Sequence, residues 1–260
     1  MTATRCAGCR AELAPNARYC SVCGKATLAH ARAARAELAS TRRRVGRAGL
    51  AIAIGFVVPT VLPLLRLSGV EFDEAALTEG FDAGAALAQS LALVLGTLGI
   101  LLVLGEGALR DTLRVKAPWQ AWCAAPVVAA GSWTAATLWV RAVAALREAS
   151  DGSVQVPELA PTTLPELVVT IAIAPLLEEL LCRGALWTAL SRIGRDAQTL
   201  ATSAMVFALL HALNGGFFLE LPHRFVAGLA FGWLRLRSGS IATPVLAHAL
   251  HNAAASCWPD

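Results

Sequence analysis

Long apolar segments set the outer bound on what this chain can fold into. They run from Ala48 to Leu65, Gly84 to Leu104, Pro118 to Val140, Leu167 to Leu190, Ala197 to Leu213, Phe217 to Leu234 and Gly239 to Trp258. At about 1.5 Å of rise per residue, roughly twenty residues cross the ~30 Å hydrocarbon core of a bilayer, and most of these segments are that long. The sixth is the weakest, because Glu220, His223 and Arg224 interrupt its start. Composition agrees, with 56% of the 260 residues hydrophobic, 15% charged and a mean hydropathy of +0.59, far from a soluble globular domain.

The formal charge of +4 is carried almost wholly by arginine, Lys25 and Lys116 being the only lysines. These arginines cluster at the ends of apolar runs rather than in a stripe, so nucleic acid is not an expected partner; the lipid bilayer is. Arg42, Arg43, Arg44 and Arg47 precede the first segment, Arg110, Arg114 and Lys116 follow the second, Arg192 and Arg195 the fourth, and Arg235 and Arg237 the sixth. The intervening stretches, such as Ser68 to Ala83, are poor in cations. The positive-inside rule then predicts a multi-pass integral membrane protein with its N-terminus in the cytoplasm. Heavy use of Ala, Leu, Gly and Arg suits a GC-rich bacterial source and hence a bacterial inner membrane. The polar, cysteine-bearing start does not resemble a cleavable signal peptide, so the N-terminus is expected to be retained.

That start contains two Cys-x-x-Cys pairs, Cys6/Cys9 and Cys20/Cys23, in a stretch with almost no apolar core. Four thiolates at this spacing suit tetrahedral zinc, and a module this small needs a staple to fold. A disulfide pairing would require an oxidising compartment, which the arginine-rich flank argues against. The expectation is a structural zinc ribbon over 1–27 and a basic helical linker over 28–47, which anchors topology or, through the ribbon, meets a cytoplasmic partner. The remainder divides into N-terminal transmembrane helices over 48–163, an external loop from Arg147 to Glu166, and a functional transmembrane domain over 164–258. The fold class is all-α: a polytopic bundle of about seven spans preceded by the ribbon.

Charge inside the apolar segments carries the chemistry. An ionisable side chain at mid-bilayer costs at least roughly 2.5 to 3.5 kcal/mol, so such a residue is paired or faces a polar cavity. The fourth segment holds Glu178, Glu179 and Arg183; the fifth holds Phe207 and His211; the seventh holds His248, His251 and Asn252. Glu179 and Arg183 are four apart with the acid first, the favourable order for an ion pair, whereas Glu178 points about 100° away without that partner. His248 and Asn252 share one helix face, as do Phe207 and His211. Counted from the cytoplasmic helix ends, Glu178, His211, His248 and Asn252 all fall roughly 14 to 21 Å deep. A carboxylate and a histidine at one depth can activate a water, and a second histidine with an amide can donate to a developing oxyanion, which is the equipment for amide hydrolysis. Cys123, Cys182 and Cys257 are solitary and are expected to be packing residues.

In order, "EELLCR", "FALLH" and "HALHN" spell EExxxR, FxxxH and HxxxN. Together, over roughly Leu164 to Ser256, they resemble the CAAX prenyl protease and bacteriocin-processing family (CPBP, or Abi) of intramembrane endopeptidases. The resemblance implies that Glu178 and His211 activate water, that His248 and Asn252 form the oxyanion site, and that Glu179, Arg183 and Phe207 support them. It also implies a membrane protein or peptide substrate and no metal required at the active site, although two histidines and two carboxylates could also ligate zinc. Two other classes fit the same residues: a non-catalytic scaffold or receptor held by a buried polar network, and a small proton-coupled transporter.

Overall fold

A computed structural model describes residues 5–14, 17–67, 83–105, 107–151, 163–213 and 221–257. Among the described residues the regular secondary structure is helical, apart from two isolated antiparallel bridges near the N-terminus. The chain divides into two compact units, Met1–Arg47 and Ala48–Asp260.

In the first unit, each Cys-x-x-Cys pair sits in its own tight hairpin, closed by the bridges Arg5 with Glu12 and Tyr19 with Ala26. The residue after each second cysteine turns left-handed: Arg10 at φ 63° and Gly24 at φ 69°. Helix α1, Leu28–Leu67, begins after this module and carries the basic stretch and the first apolar segment as one continuous helix.

In the second unit, α2 spans Ala83–Leu104, the short α3 Ala108–Thr112 and α4 Trp119–Asp151. A long helical run over 164–190, here α5, follows; then α6 is Asp196–Leu213, α7 Leu221–Ser238 and α8 Ala242–Cys257. Among the described residues, Ala86–Leu104 and Trp119–Leu146 are long and apolar enough to cross a membrane by length and composition alone. Their outer faces are apolar and exposed, as at Leu102 and Val127, which suits a lipid surround. The sixth segment was expected from Phe217, but α7 begins at Leu221 and 214–220 lie outside the described residues. The seventh was expected from Gly239, which instead adopts φ 64° and separates α7 from α8. The expected external loop is helical at both ends, since α4 continues to Asp151 and α5 starts at Leu164; 152–162 lie outside the described residues.

Helix α5 positions the site. Its start is fixed by a capping box: the Thr163 hydroxyl accepts from the Glu166 N–H, and the Glu166 carboxylate accepts from the Thr163 N–H at 3.0 Å. The run is not uniform. Ordinary α-helix at Leu164–Val168, Ala174–Glu179 and Trp187–Leu190 alternates with wider π-helical turns at Val169–Ile173 and Leu180–Leu186. Pro175 explains the first widening, because it lacks an N–H and its ring clashes with the carbonyl four residues back. Two apolar clusters hold α5 and its neighbours: one joins Leu93 and Ile100 of α2 to Leu181, Leu186 and Phe207, and the other joins α4, α7 and α8 through Ala129, Phe231 and Ala247.

Candidate active site

Helix α5 carries its two glutamates at the end of an ordinary α turn, immediately before the second π turn, so adjacent carboxylates leave the helix in different directions. Glu179 points inward and is fully buried. Its Oε1 accepts from Arg183 Nη1 at 2.9 Å and from His248 Nδ1 at 3.0 Å. Arg183, also fully buried, donates from Nη2 to the Gly228 carbonyl of α7 at 2.7 Å, and its guanidinium lies 4.5 Å from the Phe207 ring centre. The buried pair is therefore tied to three helices rather than to one another alone, the condition under which such a pair is tolerated.

Glu178 faces elsewhere. Its Oε2 stands 3.5 Å from His211 Nε2 and 3.8 Å from His248 Nε2, and it makes no hydrogen bond among the described residues. Both histidines are held from behind. His211 Nδ1 donates to the Phe207 carbonyl at 2.8 Å, one turn back on α6, and His248 Nδ1 donates to Glu179. These bonds place an N–H on Nδ1 of each ring and turn each Nε2 toward Glu178. Aromatic rings fix the imidazole planes: Phe231 stacks on His248 at 4.8 Å, and Phe207 lies against His211 at 4.6 Å and His248 at 5.5 Å.

The structure thus brings Glu178, Glu179, Arg183, Phe207, His211 and His248 into one cluster. Asn252 lies one turn along α8 from His248 and donates from Nδ2 to the Thr170 carbonyl at 2.8 Å. That carbonyl belongs to the first π turn, where widening frees backbone acceptors. The second π turn is held in the same way, by Ser203 Oγ donating to Cys182 O at 3.0 Å and Arg235 Nε donating to Arg183 O at 3.0 Å.

Several contributors lie outside the three motifs. Gly228 supplies the acceptor for Arg183, and a Cβ there would come within 3.0 Å of Ala204 on α6. The Gly228/Gly232 pair spells Gly-x-x-x-Gly, a sequence signal for close helix approach that would have pointed to this contact. Phe231, Arg235 and Thr170 carry no comparable signal. His251 bonds through Nδ1 to Ser132 Oγ of α4 at 2.9 Å; Ser132 in turn donates to the Ala129 carbonyl. Cys182 is buried, but Cys123 and Cys257 are exposed and therefore do not fill core space as expected.

With this geometry in hand, comparison with known families is specific: residues 160–254 match the family described as Type II CAAX prenyl endopeptidase Rce1-like. The chain carries an Rce1-like domain. All seven motif residues fall inside it. The family is one of CAAX-type intramembrane proteases, so this is a protease domain; with the two apolar helices it marks an integral membrane protein, and its substrate class is a membrane-associated peptide. No curated protein and no solved structure matches the chain significantly.

In the first unit, Cys6, Cys9, Cys20 and Cys23 place their sulfurs within 4.8 Å of one another, and the four could hold a metal ion. Cys6 to Cys23 and Cys9 to Cys20 are both 3.6 Å, far from a disulfide and close to the edge of about 3.8 Å that a tetrahedron of ~2.3 Å metal–sulfur bonds requires. The backbone N–H groups of Cys9 and Gly8 lower the Cys6 thiol to about 6, and those of Cys23 and Val22 lower Cys20. Both stabilise thiolate, the ligating form.

Proposed function

We propose that the Rce1-like domain is an endopeptidase that hydrolyses a peptide bond of a membrane protein or peptide by attack of a water activated by Glu178 and His211. The observation that carries this reading is the unbonded Glu178 Oε2 facing two imidazole nitrogens, each oriented by a bond on its far side. The carboxylate oxygen and the two Nε2 atoms converge on one point, where an attacking water can bond to them. Water oxygen adds to the scissile carbonyl carbon while its proton passes to Glu178 or His211. Collapse of the tetrahedral intermediate breaks the C–N bond, and the same proton is delivered to the departing amine. His248, carrying protons on both nitrogens so that Nε2–H donates while Nδ1–H stays on Glu179, and the remaining N–H of Asn252 stabilise the oxyanion. Glu179 and Arg183 position His248, and Phe207 orients both rings.

The buried Glu179–Arg183–Gly228 network favours a second reading, in which the polar cluster only holds the helices together. A comparative peptidome of membranes containing wild-type protein or Glu178→Ala, at matched levels of inserted protein, separates the two. Products that disappear with the variant support hydrolysis and name the substrate. Failure of Glu178→Ala to accumulate supports the scaffold.

The rest of the proposal follows from charge and thiol chemistry. The protein is multi-pass in a bacterial inner membrane with its N-terminus cytoplasmic, where a reducing environment keeps the four cysteines as zinc ligands. Zinc there is structural, the active site acts without a metal, and the ribbon offers a surface to a cytoplasmic partner.

A further inference from the structure

A cleft of about 260 Å³ opens at the arginine-rich helix ends of the second unit, lined by Arg114, Arg192, Arg235, Asp111 and Trp187 among others. It is smaller than the roughly 300 to 1,000 Å³ of pockets for drug-sized ligands, so its scale is that of a headgroup rather than a peptide. Three guanidiniums share it with one carboxylate. Arg235, buried to 6% exposure, spends its donors on backbone carbonyls: Nε to Arg183, Nη1 to Gly239 and Nη2 to Asp111. Arg192 Nη1 donates to the Leu104 carbonyl at 3.2 Å. Among the described residues none of the three arginines forms an ion pair with a carboxylate. Arg114 and Arg235 meet at Gly239: Arg235 bonds its carbonyl, and Arg114 Nη1 lies 3.9 Å from where a Cβ on it would stand. Like charges brought together around a fixed backbone call for a counter-anion, and guanidinium forks match phosphate oxygens.

We propose that this cleft binds a phosphate group, presented by the headgroup of an anionic phospholipid. The proposal is independent of whether the domain hydrolyses peptides. It is tested by thermal unfolding of the full chain in nanodiscs of phosphatidylcholine with or without phosphatidylglycerol, and in uncharged micelles with inorganic phosphate against chloride at equal ionic strength. The expected result is stabilisation by phosphatidylglycerol, with apparent affinity about tenfold weaker in Arg114→Gln and unchanged in Arg237→Gln, an exposed arginine of α7 that does not line the cleft. Should Arg114→Gln fail to accumulate, Arg192→Gln takes its place. Stabilisation by inorganic phosphate with the same dependence on Arg114 keeps the phosphate site and moves its source to solution. Stabilisation by neither, or an equal loss in Arg237→Gln, overturns the proposal.

Discussion

The chain gathers ionisable ligand-type side chains in two places, and the two are built on opposite terms. Around the four cysteines the only buried side chains among the described residues 5–27 are Cys6, Cys20 and Thr27. The Glu178 cluster instead rests on Arg183, Phe207, Phe231, Glu179 and His248, each about 2% exposed or less. In the first region the ligand atoms are themselves the core, and an ion held by them would supply the cohesion. In the second, packing supplies cohesion, and Oε2 of Glu178 and Oε2 of Glu179 both lack a hydrogen bond among the described residues. A module that depends on its ion can be switched by it; a cluster fixed by its neighbours can hold a reactive geometry without one.

The contrast breaks most visibly on chelation. A strong zinc chelator, or Cys6→Ser with Cys9→Ser, is expected to abolish slow amide exchange across 5–27 while leaving 163–257 protected, as hydrogen-exchange mass spectrometry would show. Retained protection at the hairpins would mean that the thiols do not hold an ion. Next in size is Glu179→Ala, which strands the fully buried Arg183 and is expected to destabilise the second unit by about 3–5 kcal/mol, seen as a lower unfolding midpoint or loss of accumulation.

Asn252→Ala sharpens the comparison within the cluster. It removes the tie to Thr170 and the second oxyanion donor we propose, and is expected to lower the cleavage rate about 10²–10³-fold, with a smaller change in unfolding midpoint. A rate equal to wild type would leave Asn252 a purely structural bracket. The smallest effect is expected from Ser132→Ala, about 1–3 kcal/mol of stability, because His251 loses its partner at the α4–α8 contact.

Much of this was legible in the sequence. Apolar segment length announced helices, and the i to i+4 spacing of Glu179 and Arg183 announced their ion pair. The meeting of Glu178 with His211 and His248 was also legible, since polar residues in apolar helices have few alternatives; Asn252 turns instead to Thr170. The π turns were not, because an ideal 3.6-residue period was assumed throughout; Pro175 hinted at the first, but nothing local marks the second. Asn252 bonding to Thr170 depends on that widening and could not be inferred from spacing. Nor could the role of Phe231, an ordinary apolar residue whose value lies in stacking on His248 across helices. Helix ends at α4, α7 and α8 moved by several residues because hydropathy records burial in lipid, whereas the helix follows its hydrogen bonds.

The central claim is that Glu178 performs chemistry while Glu179 holds the structure. The most direct test compares wild type with Glu178→Gln, purified and reconstituted, measuring cleavage of a substrate identified from the membrane peptidome alongside thermal unfolding of the same samples. Glutamine keeps the shape and removes the base. The account predicts an unchanged unfolding midpoint and a cleavage rate lower by about 10²–10⁴-fold. Cleavage at the wild-type rate, or a loss of activity that merely tracks a fallen midpoint, would contradict it.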